Sequence, residues 1–102
     1  MSTESFPARR EGLRRIALSV MAHYRITEET LFTRQKREAT EARRVAALLM
    51  ERAFPDAALW EIGAALGVRW PGNVLARARH DPVALSEAAI LILDAAPRVR
   101  PR

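Results

Sequence analysis

Apolar positions recur at three- and four-residue steps along most of this chain, the spacing of one face of a helix. Leu13, Ile16, Ala17, Val20, Met21 and Tyr24 form a first stripe. Thr27 is placed to cap a short second helix through Phe32, with Glu28 and Glu29 in the first turn, where the helix dipole favours negative charge. A long third helix is expected from about Arg37 to Ala53, with Ala42, Val45, Leu48, Leu49 and the stem of Arg52 on its inner face. Arg37 and Glu41 are four apart and can pair across one turn. Phe54-Pro55-Asp56 should end that helix, because a residue before proline avoids helical angles, and Asp56 is expected to cap a fourth helix over residues 57–66. Gly67 suits a left-handed exit, and Pro71 suits the first turn of a fifth helix reaching about Arg79. His80-Asp81-Pro82 breaks the chain before a last helix, about Val83 to Ala95, with Leu85, Ala88, Ala89, Leu91, Ile92 and Ala95 on its apolar positions.

No alternating run lies between hairpin turns, so the expected class is all-α, a bundle of five to six helices. The domain is placed at residues 9–96, between an N-terminal stretch, 1–8, and a basic tail, 97–102, both expected to be flexible. Within it, residues 58–69 followed by 70–78 read as helix, tight turn, helix. Ile62 and Leu66 face the core, Gly63 is small where the helices approach, Gly67 turns the chain, and Val74, Leu75 and Ala78 anchor the second helix. A helix-turn-helix of this kind lays its second helix in the DNA major groove with its N-terminal residues at base edges.

Charge sharpens that picture. The 102 residues carry a net charge of +5, and sixteen of the seventeen basic side chains are arginine, Lys36 being the one lysine. A basic, arginine-rich domain points to a polyanionic partner, nucleic acid first. With no cysteine there is neither a disulfide nor a thiolate metal site. No apolar run is long enough for a membrane span or a signal peptide, so a cytoplasmic, nucleoid-associated location with no membrane partner is expected.

Several stretches resemble the C-terminal DNA-binding domain of the bacterial replication initiator DnaA, over about Leu13 to Leu93. Val20-Met21-Ala22-His23-Tyr24-Arg25-Ile26 is similar to the exit of that family's first core helix. Arg34-Gln35-Lys36-Arg37 sits at its basic loop, and residues 42–49 look like its long third helix. Glu61-Ile62-Gly63, Gly67 and Val74-Leu75 match its helix-turn-helix. The resemblance implies the Trp-repressor-like helical bundle of the initiator's fourth domain. The family signature Gly-Arg-Asp-His-Thr-Thr-Val-Leu-His-Ala here reads Val68-Arg69-Trp70-Pro71-Gly72-Asn73-Val74-Leu75-Ala76-Arg77. Arg69 and Val74-Leu75 are kept; the four base-reading positions have become Trp70, Pro71, Gly72 and Asn73. The family's minor-groove arginine falls on Lys36. No Gly-x-x-x-x-Gly-Lys loop occurs, so the initiator's ATPase chemistry is not expected of these residues.

The leading expectation is therefore a DNA-binding protein related to that domain, controlling replication initiation or transcription through double-stranded DNA. Arg34, Lys36, Arg37, Arg43 and Arg44 would meet phosphates or the minor groove. Arg69, Trp70, Gly72, Asn73 and Arg77 would face the major groove, where asparagine can bond adenine and arginine guanine in two places. Pro71 and Gly72 offer no side-chain hydrogen bond, so specificity should be weaker or different. The alternative is a protein-interaction module that binds a replication factor through Trp60 and Trp70, since exposed tryptophans anchor interfaces. Enzyme chemistry is not expected. His23 reads as a partly buried structural residue and His80 as a helix-end charge. Ser19 and Ser86 lack an adjacent base, Glu28, Glu29 and Glu61 read as helix-start or surface charges, and no metal, cofactor or small-molecule substrate is implied. The basic first helix (Arg9, Arg10, Arg14, Arg15) could suit an anionic membrane surface, but its apolar stripe fits a core better.

Overall fold

A helix studded with alanine can be approached closely from many directions, and the chain uses one such helix as its axis. In the computed structural model, which describes residues 6–33 and 37–95, the elements run α1 (Phe6–Tyr24), α2 (Glu28–Thr33), α3 (Arg37–Ala53), α4 (Leu59–Leu66), α5 (Pro71–Ala78) and α6 (Pro82–Ala95). All the regular structure among the described residues is helical. None of these helices is long and apolar enough to cross a membrane.

α3 packs against each of the other five helices. Its Ala39, Ala42, Ala46 and Ala47 are fully buried beside Val45 and Met50, so its neighbours sit close on several sides. Leu13, Ala17, Val20 and Met21 of α1, Leu31 of α2, Ile62 and Leu66 of α4, and Leu75 of α5 complete the core. The inner face of α3 is thus wider than its leucines suggested: Leu48 and Leu49 are half-buried and Arg52 is exposed. On α6, Ala84 and Ala88 are buried, whereas Leu85 and Ala89 face outward. Small side chains, not the leucine, let α6 lie close to α3.

Local chemistry sets the helix ends. The first helix begins at Phe6, inside the stretch expected to be loose, with Pro7 in the turn where a missing N–H costs no hydrogen bond. It ends with Arg25 in the left-handed region (φ 57°) and the Ile26 N–H bonded to the Met21 carbonyl at 3.0 Å. The Thr27 hydroxyl caps α2 by accepting the Thr30 N–H at 3.1 Å. Asp81 caps α6 the same way, its Oδ1 accepting from Val83 and Ala84 at 3.1 and 3.2 Å. Asp56 is not the cap of α4. The helix starts two residues later than expected, and Glu61 Oε1 reaches back to accept the Ala58 N–H at 2.9 Å. Nor do Arg37 and Glu41 pair: Glu41 accepts the Tyr24 hydroxyl, which holds that phenol protonated by burial and by the neighbouring carboxylate.

Candidate nucleic-acid interface

The segment joining α4 to α5 is built around close approach. Gly67 takes φ 67°, and its neighbour Val68 donates its N–H to the Gly63 carbonyl at 2.9 Å, closing α4. Gly63 is buried, and a Cβ there would lie 3.0 Å from both Pro71 Cγ and the Val68 carbonyl oxygen. A larger residue there would press on Pro71 and on the Val68 carbonyl where α5 starts beside α4. Leu75 and Ala78 then bury the inner side of α5 against α3, leaving Gly72, Asn73 and Arg77 on its outer side.

A buried ion pair pins α4 to α1. Glu61, 6% exposed, accepts from Arg9 through both oxygens, Nε to Oε1 at 2.9 Å and Nη2 to Oε2 at 2.8 Å. The Arg9 guanidinium, together with the Ala58 N–H, holds this carboxyl below the usual glutamate range. Glu61 is therefore a structural anchor and not the surface charge its sequence context suggested. The signal that could have found it is its place three residues after the cap, where a glutamate reaches back to the free N–H groups.

Between the N-terminal half of α3 and the α4–α5 turn lies an open groove of about 430 Å³. Its lining includes Arg43 and Arg44 from α3, Arg69 and Trp70 from the turn, and Asn73 and Arg77 from α5, with no carboxylate among them. Thus the structure gathers six of the expected DNA-binding side chains around one hollow and adds Thr40 and Phe32, which carried no sequence signal.

The six are not equivalent. Arg69, Asn73 and Arg77 are exposed. Arg44 donates from Nη1 to Asp81 Oδ2 at 2.8 Å, and that contact holds the Asp81 carboxyl below its ordinary range. Arg43 departs furthest from expectation. It is 8% exposed and its guanidinium donates to the Leu31 carbonyl, an acceptor at the end of α2 that helix geometry leaves open. Burial also pulls its pKa down. Arg43 thus holds α2 on α3 and is not an outward phosphate contact. Arg37 is exposed beside an adjoining hollow that also includes Arg44 and Asp81. Arg34 and Lys36 lie outside the described residues.

A second groove, of about 520 Å³, runs between α4 and the start of α5. It is walled by Leu59, Trp60, Trp70 and Pro71, and it shares Val68, Arg69, Trp70 and Asn73 with the basic groove. Trp60 is 62% exposed and Trp70 68%, so neither closes the core. Gly72 sits in the same wall, where a Cβ would make only an ordinary contact, with Leu59 Cδ1 at 3.8 Å.

The histidines lie apart from this surface. His23 Nε2 is 2.9 Å from Glu87 Oε1, with its ring edge-on to Tyr24 at 5.1 Å, and His80 is exposed past the end of α5. Among the described residues, no three His, Cys, Asp or Glu side chains come together as a metal site. No family model matches the chain, and no curated protein or solved structure is significantly similar to it.

Proposed function

We propose that this chain is a DNA-binding module in which α4 and α5 act as a helix-turn-helix, as the likeness to the initiator's DNA-binding domain implies, and that it modulates replication initiation or transcription at the nucleoid. One observation carries the reading: among the described residues, the groove beside α5 is lined by four arginines, of which Arg69 and Arg77 are exposed, and by no carboxylate. A surface hollow lined by charges of one sign attracts a polyanion. Arg69 and Arg77, exposed on its rim, meet phosphates or guanine edges, and Asn73 is the side chain suited to adenine. Arg44 contributes through a guanidinium already oriented by Asp81. Gly72 and Pro71 present no side-chain donors, so backbone attraction outweighs base readout and discrimination among sequences is weak.

The test is titration of labelled duplexes, one carrying an initiator-box sequence and one scrambled, at two salt concentrations. Tight binding to both that weakens steeply with salt supports the reading. No binding to either at low salt refutes it.

A second reading, an interface for a replication protein, is favoured by the exposure of Trp60 and Trp70. Trp60→Ala, at a side chain outside the basic groove, separates the two, because a protein interface would lose its partner while binding to a paired duplex persisted.

A further inference from the structure

The two grooves are continuous at Arg69, Trp70 and Asn73, so a basic trough opens directly onto an aromatic one. A folded duplex has no use for that junction, because its bases are stacked inward and offer only their edges. An indole at the leading end of α5, more than two-thirds exposed, stands in the same lining as the exposed Arg69 and Arg77. Proteins that hold unpaired nucleic acid combine these two elements, cations along the backbone and aromatic rings under the bases. The space is suitable: the second groove is open, of about 520 Å³, and its wall carries no side chain at Gly72.

Resting on the DNA-binding reading above, we infer that the surface formed by Arg69, Trp70, Asn73 and Trp60 takes DNA whose bases are locally unpaired. The backbone lies against Arg69 and Arg77. At least one flipped or single-stranded base stacks on Trp70, and the groove toward Trp60 receives its neighbour. The chemical class of the ligand is opened DNA, such as a bubble or the edge of a melted region, in preference to an uninterrupted duplex. The charge of the trough selects the polyanion, and the indole selects the opened form.

Three duplexes of equal length and charge test this. One is fully paired, one carries a central bubble of thymines, and one carries the same bubble with its bases removed. The readouts are the dissociation constant by anisotropy and quenching of tryptophan emission. The expected result is about tenfold tighter binding to the thymine bubble than to either other duplex, the ratio that one base–aromatic stack provides. Quenching should appear with the thymine bubble alone. Trp70→Ala should abolish the preference for the thymine bubble over the paired and abasic duplexes, whereas Trp70→Phe should retain most of it. Equal binding to the thymine and abasic bubbles, or a preference that survives Trp70→Ala, overturns the inference and leaves the basic groove standing as a plain backbone binder. Failure of all three duplexes to bind at low salt refutes the DNA-binding reading itself.

Discussion

Gly67→Ala tests the turn on which the candidate surface depends. Gly67 sits at φ 67°, where a residue with a Cβ meets the following carbonyl at a cost of about 1–2 kcal/mol. The added methyl also meets a neighbour: an ideal Cβ would lie 2.7 Å from Phe32 Cγ and 2.9 Å from Cδ1. Phe32 is half-buried and packs on the core, so it must shift, at a further ~1–2 kcal/mol. The expected loss is therefore roughly 2–4 kcal/mol, or on the order of 10–20 °C in Tm for a domain of this size. Gly72→Ala is the internal control. Its φ is not left-handed and the nearest atom to its Cβ is Leu59 Cδ1 at 3.8 Å, so alanine there should be neutral or stabilise by about 0.4–1 kcal/mol. Arg25→Gly is the converse, relieving the one non-glycine left-handed residue among those described and stabilising by roughly 0.5 kcal/mol. Urea denaturation followed by circular dichroism measures all three. A Gly67→Ala midpoint equal to that of Gly72→Ala would refute both the left-handed turn and the Phe32 contact.

Other expectations follow from the charged groups. Glu61 has its folded-state pKa lowered by Arg9, so its contribution is present above the unfolded value, about 4.3, and is lost as pH falls through the folded value. Urea midpoints should therefore fall less between neutral pH and about pH 3 in Glu61→Gln than in the wild type; equal losses would count against the Arg9 pairing. Asp81→Ala removes the α6 cap and the partner of Arg44, and should cost about 0.5–2 kcal/mol in chemical denaturation. Arg69→Ala with Arg77→Ala should leave stability within about 0.5 kcal/mol of wild type, since both residues are exposed. The same pair should flatten the slope of log affinity against log salt by about 2, and an unchanged slope would place the phosphates elsewhere.

Periodicity and punctuation were enough to read the helices, because both act through neighbours a few residues apart. The α1 stripe, the Thr27 cap, the extent of α3, the Gly67 turn and Pro71 at the head of α5 are all local consequences of residue type, and each is found in the structure. Which charges remain outward was not legible in the same way. Arg43 and Arg44 are adjacent arginines on one helix, yet one is buried on the Leu31 carbonyl and the other tied to Asp81. Those partners lie 12 and 37 positions away, and only packing brings them within reach. Glu61 is likewise determined by Arg9, 52 positions earlier. The sequence alone settled an all-helical chain with a sharp turn after Leu66, since backbone propensity, capping and apolar spacing are short-range. The meeting of the basic and aromatic grooves at Trp70 was decided by tertiary structure, because burial and ion pairing depend on which surfaces α3 draws together.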